Sequence, residues 1–156
     1  MVILDFFKNA LNLKNISRQG WIDKLSMEHP ESVADHSYSM AIMGMVISDL
    51  ENYDSEKMLK MILLHDLAES KIGDFTPDQI SKDKKEKIEN NAYDEIISTL
   101  PDTIKLQYGK IWEEYQKQES PESIIVHQID KLEMVLQAKM YQKGGASLEA
   151  VESFFK

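Results

Sequence analysis

Ser120-Pro121-Glu122 and Gly144-Gly145 bracket the segment that most restricts how this chain can fold. Serine caps a helix well, proline fits the first helical position, and an acid suits the first turn. A glycine pair is a natural stop. Between these signals the apolar residues recur at helical spacing, so the span to about Gln142 predicts one long helix, roughly 33 Å at 1.5 Å per residue. The chain of 156 residues fits one domain, residues 1–156, large enough to bury a core without staples.

The rest of the chain follows the same period. Strand signals are weak, with only six glycines and four prolines. A first helix is predicted over Leu4 to about Asn15, and Ser17-Arg18-Gln19-Gly20-Trp21 reads as a loop. His29-Pro30-Glu31-Ser32 opens a second helix reaching Leu50, and Asp54 or Ser55 caps a third from Glu56 to about Glu69. Gly73 to Pro77 is a loop. Helices follow over Lys82–Thr99 and Thr103–Gln118, and a short one over Leu148–Phe155. Lys82 to Lys87 is a mixed charge run that reads as a solvated face. The expectation is an all-α bundle of about six to seven helices.

Composition narrows the functions. There is no cysteine, hence no disulfide framework and no thiolate metal site. Met1 to Asp5 has no basic n-region and meets an acid at once, and the apolar stretch Met40–Ile47 is too short to span a bilayer. A cytoplasmic protein without a membrane segment is expected. The net charge of −9 disfavours a nucleic-acid polymer as partner. It leaves room for a small phosphorylated substrate. Arg18 is the only arginine, against 17 lysines.

Most of Leu63 to Glu69 reads as a buried helix, yet the stretch carries His65, Asp66 and Glu69. Burying an ionised carboxylate is costly unless something compensates, and a metal ion suits a His beside an Asp. Neighbouring helical residues diverge by about 100°, so other helices must complete the set. His36, near the start of the second helix, and Asp130, flanked at four residues by Val126 and Met134, are the candidates. His36, His65, Asp66 and Asp130 make a reasonable shell for one divalent ion: Mn, Co, Fe, Ni, Zn or Mg. Glu69 lies three residues after Asp66 on the same face.

In order, dipeptide and placement, these residues resemble the HD superfamily of metal-dependent phosphohydrolases, and within it the HD-domain 5′-deoxynucleotidases. Arg18-Gln19-Gly20-Trp21, Pro30 to Ser37, Leu64 to Glu69 with Gly73-Asp74, and Gln128 to Met134 each resemble a family motif. The resemblance implies an all-helical HD domain, one divalent metal, hydrolysis of deoxyribonucleoside 5′-monophosphates, and a homodimer. It implies a catalytic role for Glu69 and a second site acid in Asp74. Arg18 would bind phosphate, and Trp21 would pack on the sugar or base. Gln19-Gly20 separates Arg18 from Trp21 where the bacterial family members have them adjacent.

Plainer roles stand beside these. Glu69 can be a helix-end acid, Asp74 a turn acid, Trp21 a core aromatic, and Arg18 a cap on the first helix. His127, the only histidine between His65 and Asp130, is expected to add nothing to the set, which favours one metal over two. A hydrolase of another small phosphate ester, or a metal-stabilised binding module, would use the same residues.

Overall fold

The structure, a computed structural model, describes residues 2–154. The described residues form nine α-helical segments and one 3₁₀ turn: α1 Val2–Asn12, the turn Leu13–Asn15, α2 Gln19–Leu25, α3 Val33–Glu51, α4 Ser55–Leu64, α5 Glu69–Ile72, α6 Lys82–Ile97, α7 Asp102–Lys117, α8 Pro121–Lys143 and α9 Leu148–Phe154. The all-helical expectation holds, with more segments than six to seven. An isolated antiparallel bridge joins Ser17 to Ser32. No described helix is long and apolar enough to cross a membrane.

Two differences account for the added segments. The expected loop at 17–21 is largely α2, with Ser26 as its left-handed C-cap. This helix buries Trp21 against Ala138 and Val151, a tertiary reward that its short, glycine-containing sequence does not advertise. The third helix ends at Leu64 rather than Glu69. From there the backbone tightens to i→i+3 bonds, from Leu67 N to Leu64 O (3.1 Å) and from Glu69 N to Asp66 O (3.0 Å). Most of the stretch is buried, with Leu64, Leu67 and Ala68 in the core, and Leu63 at 52% exposed is the exception.

The start of α3 also moves. Ser32 is its N-cap, in a capping box with Asp35, and Pro30 and Glu31 lie outside the helix. Elsewhere the local signals act as read. Asp54 caps α4 through Lys57 N, Ser120 caps α8 through Ser123 N, and Gly144 ends α8.

The main core sits among α3, α4, α7 and α8, centred on the fully buried Val33, Met40, Met58, Met61, Ile62 and Val126. Tyr93 on α6 stacks on Trp112 of α7 at 4.2 Å, and the Trp112 indole donates to Asn90. Phe155, expected to dock on the first helix or a partner together with Phe154, lies outside the described residues, as does the Phe154 side chain.

Candidate metal and active site

Three segments far apart in sequence deliver His36, His65 with Asp66, and Asp130 to one place. α3 supplies a fully buried His36, the tightened turn after α4 supplies His65 and Asp66, and the middle of α8 supplies Asp130. His36 Nε2 lies 3.1 Å from Asp130 Oδ1 and 3.8 Å from Asp66 Oδ2, and His65 Nε2 lies 3.0 Å from Asp66 Oδ2. One donor atom each from His36, His65 and Asp66 falls within 4.8 Å of the others, the spacing of a set that could hold a metal ion.

The outer edges of both rings are tied down. His36 Nδ1 meets Glu133 Oε2 at 2.6 Å, and His65 Nδ1 meets the Ile62 carbonyl. Each Nδ1 faces an acceptor and therefore carries the proton, which leaves the Nε2 lone pairs turned inward. There, His36 Nε2, His65 Nε2, Asp66 Oδ2 and Asp130 Oδ1 are all buried without a hydrogen-bond partner. Four electron-rich atoms crowded together in a dry site call for a positive charge. The residues fit a divalent cation of the borderline class that takes imidazole and carboxylate.

Protonation answers the same demand in the metal-free protein. Burial opposes charge on His36, but the Asp130 and Glu133 carboxylates outweigh it and lift its pKa to about 9. Burial likewise opposes charge on His65, and Asp66 more than offsets it. Burial alone would raise Asp66; His65, Arg18 and His36 together hold it well below the usual carboxylate range.

Arg18 belongs to this group. The backbone pairs Arg18 N with Glu31 O at 3.0 Å and Val33 N with Ile16 O at 2.8 Å, which clamps the strand-like stretch before α2 to the start of α3. The guanidinium is thereby set with Nη1 3.7 Å from Asp66 Oδ2 and Nε 4.0 Å from Glu31 Oε1. It does not cap the first helix. Trp21 is 1% exposed, with its indole donating to Glu31 Oε1, so it is chiefly a core residue. Both residues also border a cavity of about 290 Å³, with Gly20, Asp74, Phe75 and Lys85 among its other walls.

Glu69 and Asp74 have different surroundings. Glu69 is 3% exposed and its Oε2 has no hydrogen-bond partner. Burial first, then the charges of Asp66 and Asp74, push its pKa well above the ordinary value, against the pull of Arg18 and Lys85. Asp74 Oδ2 accepts from the Gln19 backbone N–H at 2.9 Å and so is engaged at the first residue of α2.

Three further residues of the site carry no signal of their own in the sequence. Glu133 lies one turn beyond Asp130 on α8. Lys85 turns inward from its otherwise exposed charge run, donating to Phe75 O at 2.9 Å and lying 3.5 Å from Glu89. Tyr115 sets its ring edge against His65 at 5.7 Å. His127 is engaged elsewhere, as expected: it stacks on Tyr115 at 4.1 Å and its Nε2 meets the Tyr115 carbonyl. A larger cavity of about 690 Å³ lies between α4 and α7, where Lys57 pairs with Glu114 and Glu122.

Comparison with known proteins gives this geometry a lineage. The HD domain family model matches residues 10–155. A 5′-deoxynucleotidase HDDC2 from Dictyostelium discoideum is 42% identical over 97% of this chain and 85% of its own length. The Homo sapiens 5′-deoxynucleotidase HDDC2 is 38% identical over 90% of this chain and 68% of its own. Among solved structures, a conserved hypothetical protein from Pyrococcus furiosus superposes with a TM-score of 0.78 at 31% identity, covering 97% of this chain and 85% of that one. With its His-Asp dipeptide set between a histidine of α3 and an aspartate of α8, the chain belongs to the HD domain family.

Proposed function

We propose that this protein is a metal-dependent phosphomonoesterase, a 5′-deoxynucleotidase that splits deoxyribonucleoside 5′-monophosphates into deoxynucleoside and phosphate. The observation that carries the reading is the convergence of four buried, partnerless donor atoms from His36, His65, Asp66 and Asp130 beside the single arginine of the chain. The 5′-deoxynucleotidase relatives support the substrate class.

In this reading His36, His65, Asp66 and Asp130 hold one divalent ion, which supplies a Lewis acid that polarises the phosphoryl group and makes water acidic near neutral pH. The Arg18 guanidinium, fixed by Asp66 and Glu31, offers its planar fork to the phosphate oxygens. Glu69, whose pKa burial and its acidic neighbours raise, is the residue that gives a proton to the departing 5′ oxygen. Asp74 holds the first residue of α2 and so keeps Arg18 in place. The nucleoside occupies the cavity bordered by Trp21, Phe75 and Lys85. A homodimer belongs to the same reading; the adjoining exposed side chains of Tyr38 and Ile42 on α3 and Leu136 and Met140 on α8 support it. A cytoplasmic setting fits the cysteine-free composition.

The test is a phosphate-release panel over 5′- and 3′-monophosphates with Mn²⁺, Co²⁺ or Mg²⁺. Release from deoxynucleoside 5′-monophosphates, abolished by chelation while circular dichroism is unchanged, is expected. No release from any of them would refute the reading and leave a metal-stabilised helical module.

A further inference from the structure

α8 meets the His36 ring on both edges. Asp130 Oδ1 stands 3.1 Å from Nε2, and Glu133 Oε2 stands 2.6 Å from Nδ1. The two acids are three residues apart, so they project from neighbouring turns of one helical face. Glu133 is 3% exposed and His36 is fully buried, so water does not compete for Nδ1. Another acid near this ring, the partly buried Glu31, is engaged by the Trp21 indole at 3.0 Å.

A neutral imidazole has one proton and two nitrogens that can carry it. A carboxylate accepts and does not donate, so Glu133 draws the proton to Nδ1 and leaves Nε2 with its lone pair. The same bond stops the ring from turning over. We infer that Glu133 is the positioning residue for His36, fixing its tautomer and orientation so that Nε2 is presented to a divalent cation. The inference rests on the proposed role of His36 as a ligand. The competing explanation is a structural ion pair, in which Glu133 only neutralises a buried imidazolium.

The two explanations differ in metal affinity. Mn²⁺ is titrated calorimetrically into metal-free full-length wild type, Glu133→Gln and Glu133→Ala. Ala is expected to bind Mn²⁺ roughly 10–100-fold more weakly, the usual loss when the outer partner of a ligating histidine is removed. Gln, whose carbonyl still accepts from Nδ1–H, should lose less. Histidine ¹⁵N shifts of the Zn²⁺-loaded, diamagnetic protein should show the His36 proton on Nδ1 in wild type and Gln, and that pattern lost in Ala. Phosphate release by either variant should recover as Mn²⁺ is raised to saturation.

Mn²⁺ affinity within twofold of wild type in a folded Ala variant would overturn the inference. If Ala does not fold, Glu133→Met, which fills the space without an acceptor for Nδ1–H, decides: Mn²⁺ affinity within twofold of wild type would overturn it. Wild type that binds Mn²⁺ tightly, loses that affinity on Glu133→Ala and releases no phosphate would support this inference while refuting the hydrolase.

Discussion

Replacing Glu69 with Gln tests the mechanism and the energetics of the site together. Glutamine keeps the shape of a side chain that is 3% exposed but has no acidic proton to give. General acid–base catalysis contributes about 10²–10⁴ in rate. At 1.36 kcal/mol per tenfold, the loss in transition-state stabilisation is roughly 2.7–5.4 kcal/mol. Mn²⁺ affinity should stay near wild type, since Glu69 stands outside the four-residue set. Stability should move the opposite way. Burial, Asp66 and Asp74 raise the folded-state pKa of Glu69 well above its ordinary 4.5. A raised pKa means that the folded protein holds this proton more tightly than the unfolded chain does. That contribution is complete below pH 4.5 and is lost as pH rises through the folded value. Each unit between the two values is worth about 1.4 kcal/mol. Metal-free wild type should therefore lose stability over that rise, and Glu69→Gln should flatten the slope. Phosphate release at saturating Mn²⁺, and urea unfolding in EDTA at stepped pH, read the two effects. A Gln variant within threefold of the wild-type rate, or one with the same pH slope, would refute the reasoning.

Metal binding should also be visible as stability. At a hundred times its Kd, a ligand of the folded state alone adds about 2.7 kcal/mol. At roughly 2–4 °C per kcal/mol for a domain near this size, EDTA should lower the Tm seen in such Mn²⁺ by about 5–11 °C. A Tm indifferent to both would contradict the site. Ser32→Ala removes the cap of α3 and half of its capping box, which should cost about 1 kcal/mol in urea unfolding. Because α3 carries His36, Mn²⁺ affinity should fall at most slightly once the protein is folded. For the sugar, dAMP should turn over faster than AMP, and equal kcat/KM for the two would remove Trp21 and its surroundings from 2′-OH discrimination.

Much of the helical layout was legible because caps and stops are local. Ser120 with Pro121, Asp54 and Gly144 act through residues within one turn of themselves. The four-residue set was legible for a different reason: each member is a polar group where apolar neighbours make it expensive, as with Asp130 between Val126 and Met134. What stayed hidden depends on partners far along the chain. α2 exists because Trp21 finds Ala138 and Val151. Lys85 looks like its neighbours in a charge run until Phe75 O and Glu89 turn it inward. Glu133 has its meaning only through His36, 97 residues away. The break after Leu64 is hidden because Leu63 to Glu69 has helical propensity throughout and no glycine or proline marks it; the His65 ring takes up the Ile62 carbonyl there.

The scattering of the donors over α3, the turn after α4, and α8 has a consequence for how the protein comes into being. Among the described residues no single helix holds the four-residue set, so a nascent or unfolded chain offers a cation scattered carboxylates and imidazoles. The metal then discriminates strongly between the finished fold and everything before it. If these four residues hold the ion, metal added at stages of refolding should bind only once α8 has docked against α3, which would make the ion a probe of when the long helix docks.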